Sequence, residues 1–153
     1  MRNQSAGILL YRKRNAIPEV MLLHPGGPFW KNKDIGAWSI PKGEFTSGEE
    51  PLLAAKREFL EETGKRIEGH FEELEPVKLK TGKQVFAWAV EGELDVGSIV
   101  CNTIQVEWPP RTGKFIEIPE CDRGEWFTAD QARLKINPGQ AGLIDQLLQL
   151  LKM

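Results

Sequence analysis

The sequence predicts an α/β domain in which a mixed β-sheet is covered by helices. Short apolar runs alternate with stretches of helical periodicity, and some strand candidates follow one another closely enough to form hairpins. Length is the third constraint. With 41% hydrophobic residues, 153 residues suffice for one core that needs neither a structural metal nor cystine staples. No internal repeat or low-complexity linker interrupts the chain, so a single domain over 1–153 is expected.

Taken in order, Ser5 to Tyr11 is small or apolar up to the basic run behind it and reads as a first strand. Val20 to Leu23 reads as a second, after a turn-prone stretch that contains Asn15 and Pro18. The sequence HPGGP then breaks regular structure, and a loop rich in Gly, Lys and aromatic residues leads to Ala37 to Ile40, expected as a short strand stopped by Pro41. From Pro51 to Thr63 the pattern is helical. Leu52, Ala55 and Phe59 share one apolar stripe, Pro51 suits the first helical position, and Gly64 ends the helix. Strands are expected at Pro76 to Lys80 and Gln84 to Val90, joined through Thr81-Gly82-Lys83, and again at Thr103 to Trp108. Trp126-Phe127 reads as a last short strand and Ala129 to Lys135 as a helical turn or two. Ala141 to Lys152 reads as an amphipathic helix with Leu143, Leu147 and Leu150/Leu151 inward.

Composition narrows the function. Twenty basic residues against 22 acidic ones give a net charge of -2, which removes the broad positive field that nonspecific nucleic-acid binders use. Cys101 and Cys121 fit no metal-ligand spacing and read as reduced thiols. The opening MRNQSAG lacks the apolar stretch of a secretory signal, and no apolar run approaches the roughly 20 residues that cross a bilayer. A cytoplasmic protein with no membrane or nucleic-acid partner is expected.

One helix end stands out. Glu58, Glu61 and Glu62 lie at spacings that place all three carboxylates within about 100° of one another around the helix axis. Like charges at such spacings cost a few tenths of a kcal/mol per pair, and anions in a last turn oppose the helix dipole by about 0.3–1 kcal/mol. Helix stability alone does not select this arrangement. Three converging carboxylates suit Mg²⁺, a hard cation that takes oxygen ligands, keeps several waters and completes its shell with substrate phosphates. Arg57, beside them, can hold a carboxylate in orientation by a bidentate bond. The bland alternative is a solvated acidic face neutralised by Lys65 and Arg66.

The stretch GEFTSGEEPLLAAKREFLEETGK, Gly43 to Lys65, resembles the Nudix box. Gly43, Glu49, Arg57, Glu58, Phe59, Glu61, Glu62 and Gly64 match its pattern, and Lys65 departs from it where an aliphatic residue is usual. The resemblance implies an α/β/α sandwich with a mixed sheet, and hydrolysis of a nucleoside diphosphate linked to another moiety with Mg²⁺ or Mn²⁺. By the same resemblance Glu58, Glu61 and Glu62 are metal ligands, Glu58 is also a candidate base, and Glu61 and Arg57 belong to the catalytic set. Gly43 lets the loop approach the acids and Glu49 supports it. Nudix enzymes often recruit a further carboxylate beyond the box; Glu120 is the expected one and Glu117 the alternative.

The entrance Trp38-Ser39-Ile40-Pro41-Lys42-Gly43 resembles that of diadenosine tetraphosphate hydrolases and diphosphoinositol polyphosphate phosphohydrolases. Lys42 is expected to meet a phosphate, with a solvated loop lysine as the alternative, and Trp38 to contact substrate; Arg111 with Lys114 is expected to clamp a distal phosphate, the alternative being that Trp108 to Lys114 is a surface hairpin. Phe29, Trp30 and Trp108 are further aromatic residues on predicted loops where a base could stack. Diadenosine tetraphosphate hydrolases usually carry a tyrosine downstream of the box, whereas Tyr11 is the only tyrosine here. A dinucleoside polyphosphate is the expected substrate, with a (d)NTP pyrophosphohydrolase of the house-cleaning type and a non-catalytic nucleotide-binding module as alternatives.

Overall fold

The computed structural model describes residues 4–152. The expected domain, 1–153, includes residues 1–3 and 153, which lie outside the described residues.

Strands β1 (Gln4–Arg14) and β2 (Ile17–Pro25) form an antiparallel hairpin whose two turn residues, Asn15 and Ala16, have φ of 53° and 66°. Two successive left-handed residues match the right-handed twist of paired strands. On its other edge β1 runs parallel to β6 (Gln84–Glu91), with Ile8 opposite Trp88. A parallel pair requires a crossover, and helix α1 (Pro51–Thr63) supplies it. The central order is β4 (Glu72–Glu73), β6, β1, β2 and β9 (Cys121–Thr128), with β3 (Lys42–Glu44) added to β1 and β5 (Val77–Lys78) to β6. A separate two-stranded sheet pairs β7 (Thr103–Glu107) with β8 (Phe115–Pro119).

Alternation along the strands divides the core into two layers. Ala6, Ile8, Leu10, Met21 and Leu23 meet Ala54, Ala55 and Phe59 of α1. Leu9, Val20 and Leu22 meet Leu143, Ile144 and Leu147 of α3 (Ala141–Leu151), where Ala132 of α2 (Ala129–Lys135) also packs. The result is the expected α/β/α sandwich around a mixed sheet.

Several boundaries differ from expectation. Ala37 to Ile40 is not a strand: Trp38 and Ser39 make only isolated bridges, to Ile136 and Leu23. Pairing with β1 begins beyond Pro41, whose carbonyl accepts the Ile8 N–H at 3.1 Å although its own nitrogen cannot donate. The strand expected over Pro76 to Lys80 is only Val77–Lys78. The last strand is eight residues long because the backbone of Cys121–Thr128 zips along β2 despite the polar sequence CDRGE. β8 was not anticipated. Leu150 is 40% exposed, so only Leu151 of that pair packs against the core.

Candidate active site

The acids are held on α1, on the loop that leads into its N-terminus and at the junction between β8 and β9. Glu50 caps the helix, accepting the N–H groups of Leu52 and Leu53, and Gly64 closes it in the left-handed conformation with its N–H on Leu60 O at 2.8 Å. Arg57 organises the glutamates. Its Nε and Nη2 donate to the two oxygens of Glu49 at 3.0 and 3.1 Å, while Nη1 donates to Glu58 at 2.7 Å and to Glu61 at 3.4 Å. The planar fork thus ties the loop acid to two helix acids at once.

Gly43 presses on the same group. A Cβ at this position would stand 2.0 Å from Glu58 Oε1, so any side chain here would displace the carboxylate. Beside it, the Lys42 N–H donates to Glu62 Oε1 at 3.3 Å. Glu62, Lys42 and Glu120 line a hollow of about 200 Å³ together with Ser39, Ile40 and Cys121. Glu120 is fixed through its backbone: its N–H donates to Asn102 O at 2.8 Å and its carbonyl accepts Gly26 N–H at 3.0 Å.

Electrostatics show how closely these carboxylates are gathered. Burial, followed by repulsion from Glu120, pushes the Glu62 carboxyl up to about 9. Burial and then Glu61 raise Glu58, against the opposing pull of Arg57. Burial and then Glu61 also raise Glu120. Lys42 is lowered, first because burial disfavours its charge. Arg57 is raised, chiefly by its hydrogen bonds to Glu49.

Among the described residues no three His, Cys, Asp or Glu side chains are arranged as a ready-made metal cage. Glu58 and Glu61 are engaged by Arg57, and Glu62 by the Lys42 amide. The donor chemistry nevertheless fits a hard divalent cation. The available atoms are carboxylate oxygens whose mutual repulsion a cation relieves, and Mg²⁺ takes part of its shell from water and phosphate.

Other expected site residues lie elsewhere. Trp38 is 1% exposed; it packs edge-on to His24 and Phe127 and donates Nε1–H to Asp34 at 2.8 Å, so it has no face to offer a substrate. Arg111 and Lys114 sit at the exposed turn between β7 and β8 and line neither the acidic hollow nor the apolar cavity beside it. Glu117 is exposed on β8 and accepts the Thr103 hydroxyl at 2.8 Å, which leaves Glu120 as the carboxylate that joins the box acids.

Three supports of the site escaped sequence reasoning. Buried Gln140 accepts the Ile40 N–H at 3.1 Å and donates to Ser39 Oγ at 3.0 Å, fixing the entrance to the box from 100 residues away. His24, also buried, bridges Lys33 O at 2.6 Å and Asp122 at 3.0 Å, which ties down the loop after β2. Cys121 donates its thiol to Glu62 O at 3.3 Å and its N–H to Cys101 Sγ at 3.1 Å, so both thiols, free in this structure, underlie the acids. Only the adjacency of Glu120 and Cys121 hinted at this.

The box geometry and the sandwich define a class, and the family model of the NUDIX domain matches residues 1–147: the chain belongs to the NUDIX family. Divalent metal ions are typical of that family. Among solved structures it is similar to a Caenorhabditis elegans Ap4A hydrolase binary complex, at 22% identity and TM-score 0.66, covering 97% of this chain and 98% of that one. It is also similar to the NUDIX domain of Shewanella oneidensis NrtR complexed with ADP ribose, at 16% identity and TM-score 0.65 over 99% and 89% of the two chains. The Mycobacterium smegmatis Nudix hydrolase RenU matches at 24% identity and TM-score 0.60, over 99% and 86%. No helix among the described residues is long and apolar enough to cross a membrane.

Proposed function

We propose that this NUDIX-family hydrolase cleaves a phosphoric anhydride bond in a nucleoside diphosphate linked to another moiety, with Mg²⁺ or Mn²⁺ held by Glu58, Glu61, Glu62 and Glu120. The observation that carries this reading is that Glu62 and Glu120 line one hollow with Lys42, while Glu58 and Glu61, joined by Arg57, stand close enough to raise the carboxyls of Glu62 and Glu120. When bound, the cation offsets phosphate charge and lowers the pKa of a coordinated water. Arg57 holds Glu58 and Glu61 in fixed orientation, as ligands for the cation, through its fork to Glu49. Glu58, wedged between Arg57 and Gly43, accepts the proton of the attacking water. Lys42 steadies a phosphate oxygen as a point charge.

A dinucleoside polyphosphate such as diadenosine tetraphosphate is the proposed substrate. The Trp38-to-Gly43 entrance and the similarity to the C. elegans Ap4A hydrolase support it. Like the related NrtR domain solved with ADP ribose, the protein would take its ligand as a small nucleotide. Intact box acids argue for turnover rather than binding alone.

The test is a panel of nucleotides with Mg²⁺ or Mn²⁺ in ¹⁸O-labelled water, read out by product identity. Diadenosine tetraphosphate should yield two nucleotides and no pyrophosphate, and Glu61→Gln should lower kcat by about 10²–10⁴-fold. Pyrophosphate release from nucleoside triphosphates alone would move the substrate to that class. Equal, metal-independent behaviour of wild type and Glu61→Gln would leave only a binding module.

A further inference from the structure

Two thiols that the proposed hydrolysis does not use lie under the acidic hollow. β7 and β8 pair with Thr103 opposite Pro119, and the ladder runs one residue further, where the Glu120 N–H donates to Asn102 O at 2.8 Å. The next place in that register sets Cys101 opposite Cys121. Directly opposed residues of antiparallel strands have Cα atoms about 4.5–5.5 Å apart, inside the range of about 4.4–6.8 Å that a disulfide spans. The side chains agree with this placement. Cys101 Sγ accepts the Cys121 N–H at 3.1 Å, and the two sulfurs lie in hydrogen-bonding contact with each other. Both are free thiols.

The pair is tied to the acids on both sides. Cys121 follows Glu120, lines the hollow and donates its thiol to Glu62 O at 3.3 Å. Around Cys101, the Val100 N–H donates to Thr63 O at 2.9 Å and the Asn102 N–H to Glu61 O at 3.1 Å, so this segment rests on the end of α1. A covalent bond at about 2.05 Å draws the sulfurs closer than any hydrogen-bonding contact. It pulls Glu120 toward the segment bonded to Glu61, and it removes the thiol hydrogen that Glu62 O accepts. Cys101 is half-buried and Cys121 buried, so an oxidant in solution meets Cys101 first.

We propose that Cys101 and Cys121 form a reversible disulfide on exposure to a hydroperoxide, and that this bond weakens cation binding by the acids. The Cys101 sulfur attacks one peroxide oxygen and the O–O bond breaks. Cys101 becomes a sulfenic acid, and its thiol proton leaves with the other oxygen as water or an alcohol. The Cys121 sulfur then attacks the Cys101 sulfur, the S–O bond breaks, and the Cys121 proton leaves with the hydroxyl as water. The two thiols lose two electrons and the hydroperoxide gains them. The cross-link stands on the geometry of the thiols alone, whereas its effect on the cation rests on the metal reading of Glu58, Glu61, Glu62 and Glu120.

The test treats the full chain with hydrogen peroxide, maps tryptic peptides by mass spectrometry without reduction, and titrates Mn²⁺ by calorimetry before oxidation, after it, and after reduction and desalting. The monomer should yield peptides joined through Cys101 and Cys121, lighter by two hydrogens than the separate pair. Mn²⁺ affinity should fall about 10-fold on oxidation and return on reduction, with circular dichroism unchanged. Cys101→Ser and Cys101→Ala should each give no cross-link and bind Mn²⁺ equally before and after peroxide. Absence of the joined peptides in wild type, linkage only between two molecules, or the same loss of Mn²⁺ affinity in both variants overturns the proposal. Equal Mn²⁺ affinity in cross-linked and reduced wild type overturns it as well. Joined peptides in a protein whose reduced form takes up no Mn²⁺ would keep the disulfide and remove the metal reading of the acids. Mn²⁺ uptake without linkage would do the reverse.

Discussion

Arg57 matters through shape as much as charge. Three carboxylates from two segments depend on one planar guanidinium, with two of its bonds on Glu49 alone. A lysine supplies the charge without the fork, so Arg57→Lys is expected to lower kcat by about 10–100-fold with little change in Tm, checked by steady-state kinetics and thermal melts. An unchanged kcat would show that Glu58 and Glu61 need no such support. At this scale the helix acids were legible from their spacing, because one rotation per residue places them on a common face. The bond from Arg57 to Glu49 was not, since Glu49 precedes the helix and periodicity says nothing about a loop. Trp38 shows the opposite failure: a tryptophan beside a motif invites a substrate role, and only packing reveals a buried ring against His24 and Phe127.

Among the elements, the irregular segment from Ala37 to Pro41 shows what local pattern misses. It resembles a strand in composition, yet its hydrogen bonds go to Gln140, Leu23 and β1 instead of to one neighbouring strand. Removing the Gln140 amide leaves the buried Ile40 N–H without a partner. Gln140→Ala is therefore expected to cost about 1–3 kcal/mol, measured by urea unfolding, and to raise KM by misplacing Lys42. A loss below a few tenths would mean that the segment holds itself. α1 was readable end to end because Pro51, the apolar stripe and Gly64 are local signals. β8 and most of β9 were not, since their polar sequences become strands by pairing with β7 and β2.

For the molecule as a whole, crowding of acids sets a pH dependence. Glu62 is pushed from 4.5 up to about 9 in the folded chain, first by burial, so the folded state holds a proton that the unfolded chain releases. Stability from this group is complete below about pH 4.5 and is lost as pH rises toward about 9, and raised Glu58 and Glu120 act in the same direction. Urea midpoints in EDTA are expected to fall between about pH 5 and pH 9, and Mg²⁺ to flatten that slope by favouring the ionised acids. A level profile in EDTA would show that the carboxylates do not share one site. By itself the sequence determined a mixed sheet covered by helices, helix α1 and the shared face of its acids, because each follows from near-neighbour spacing or residue type; the sandwich followed from the resemblance of Gly43 to Lys65 to the Nudix box. Tertiary structure decided for Glu120 over Glu117, and it alone showed that Gln140 and His24 hold the loops and that a hairpin closes an aromatic cavity. These are contacts between residues far apart in the chain, formed only when the sheet and helices pack.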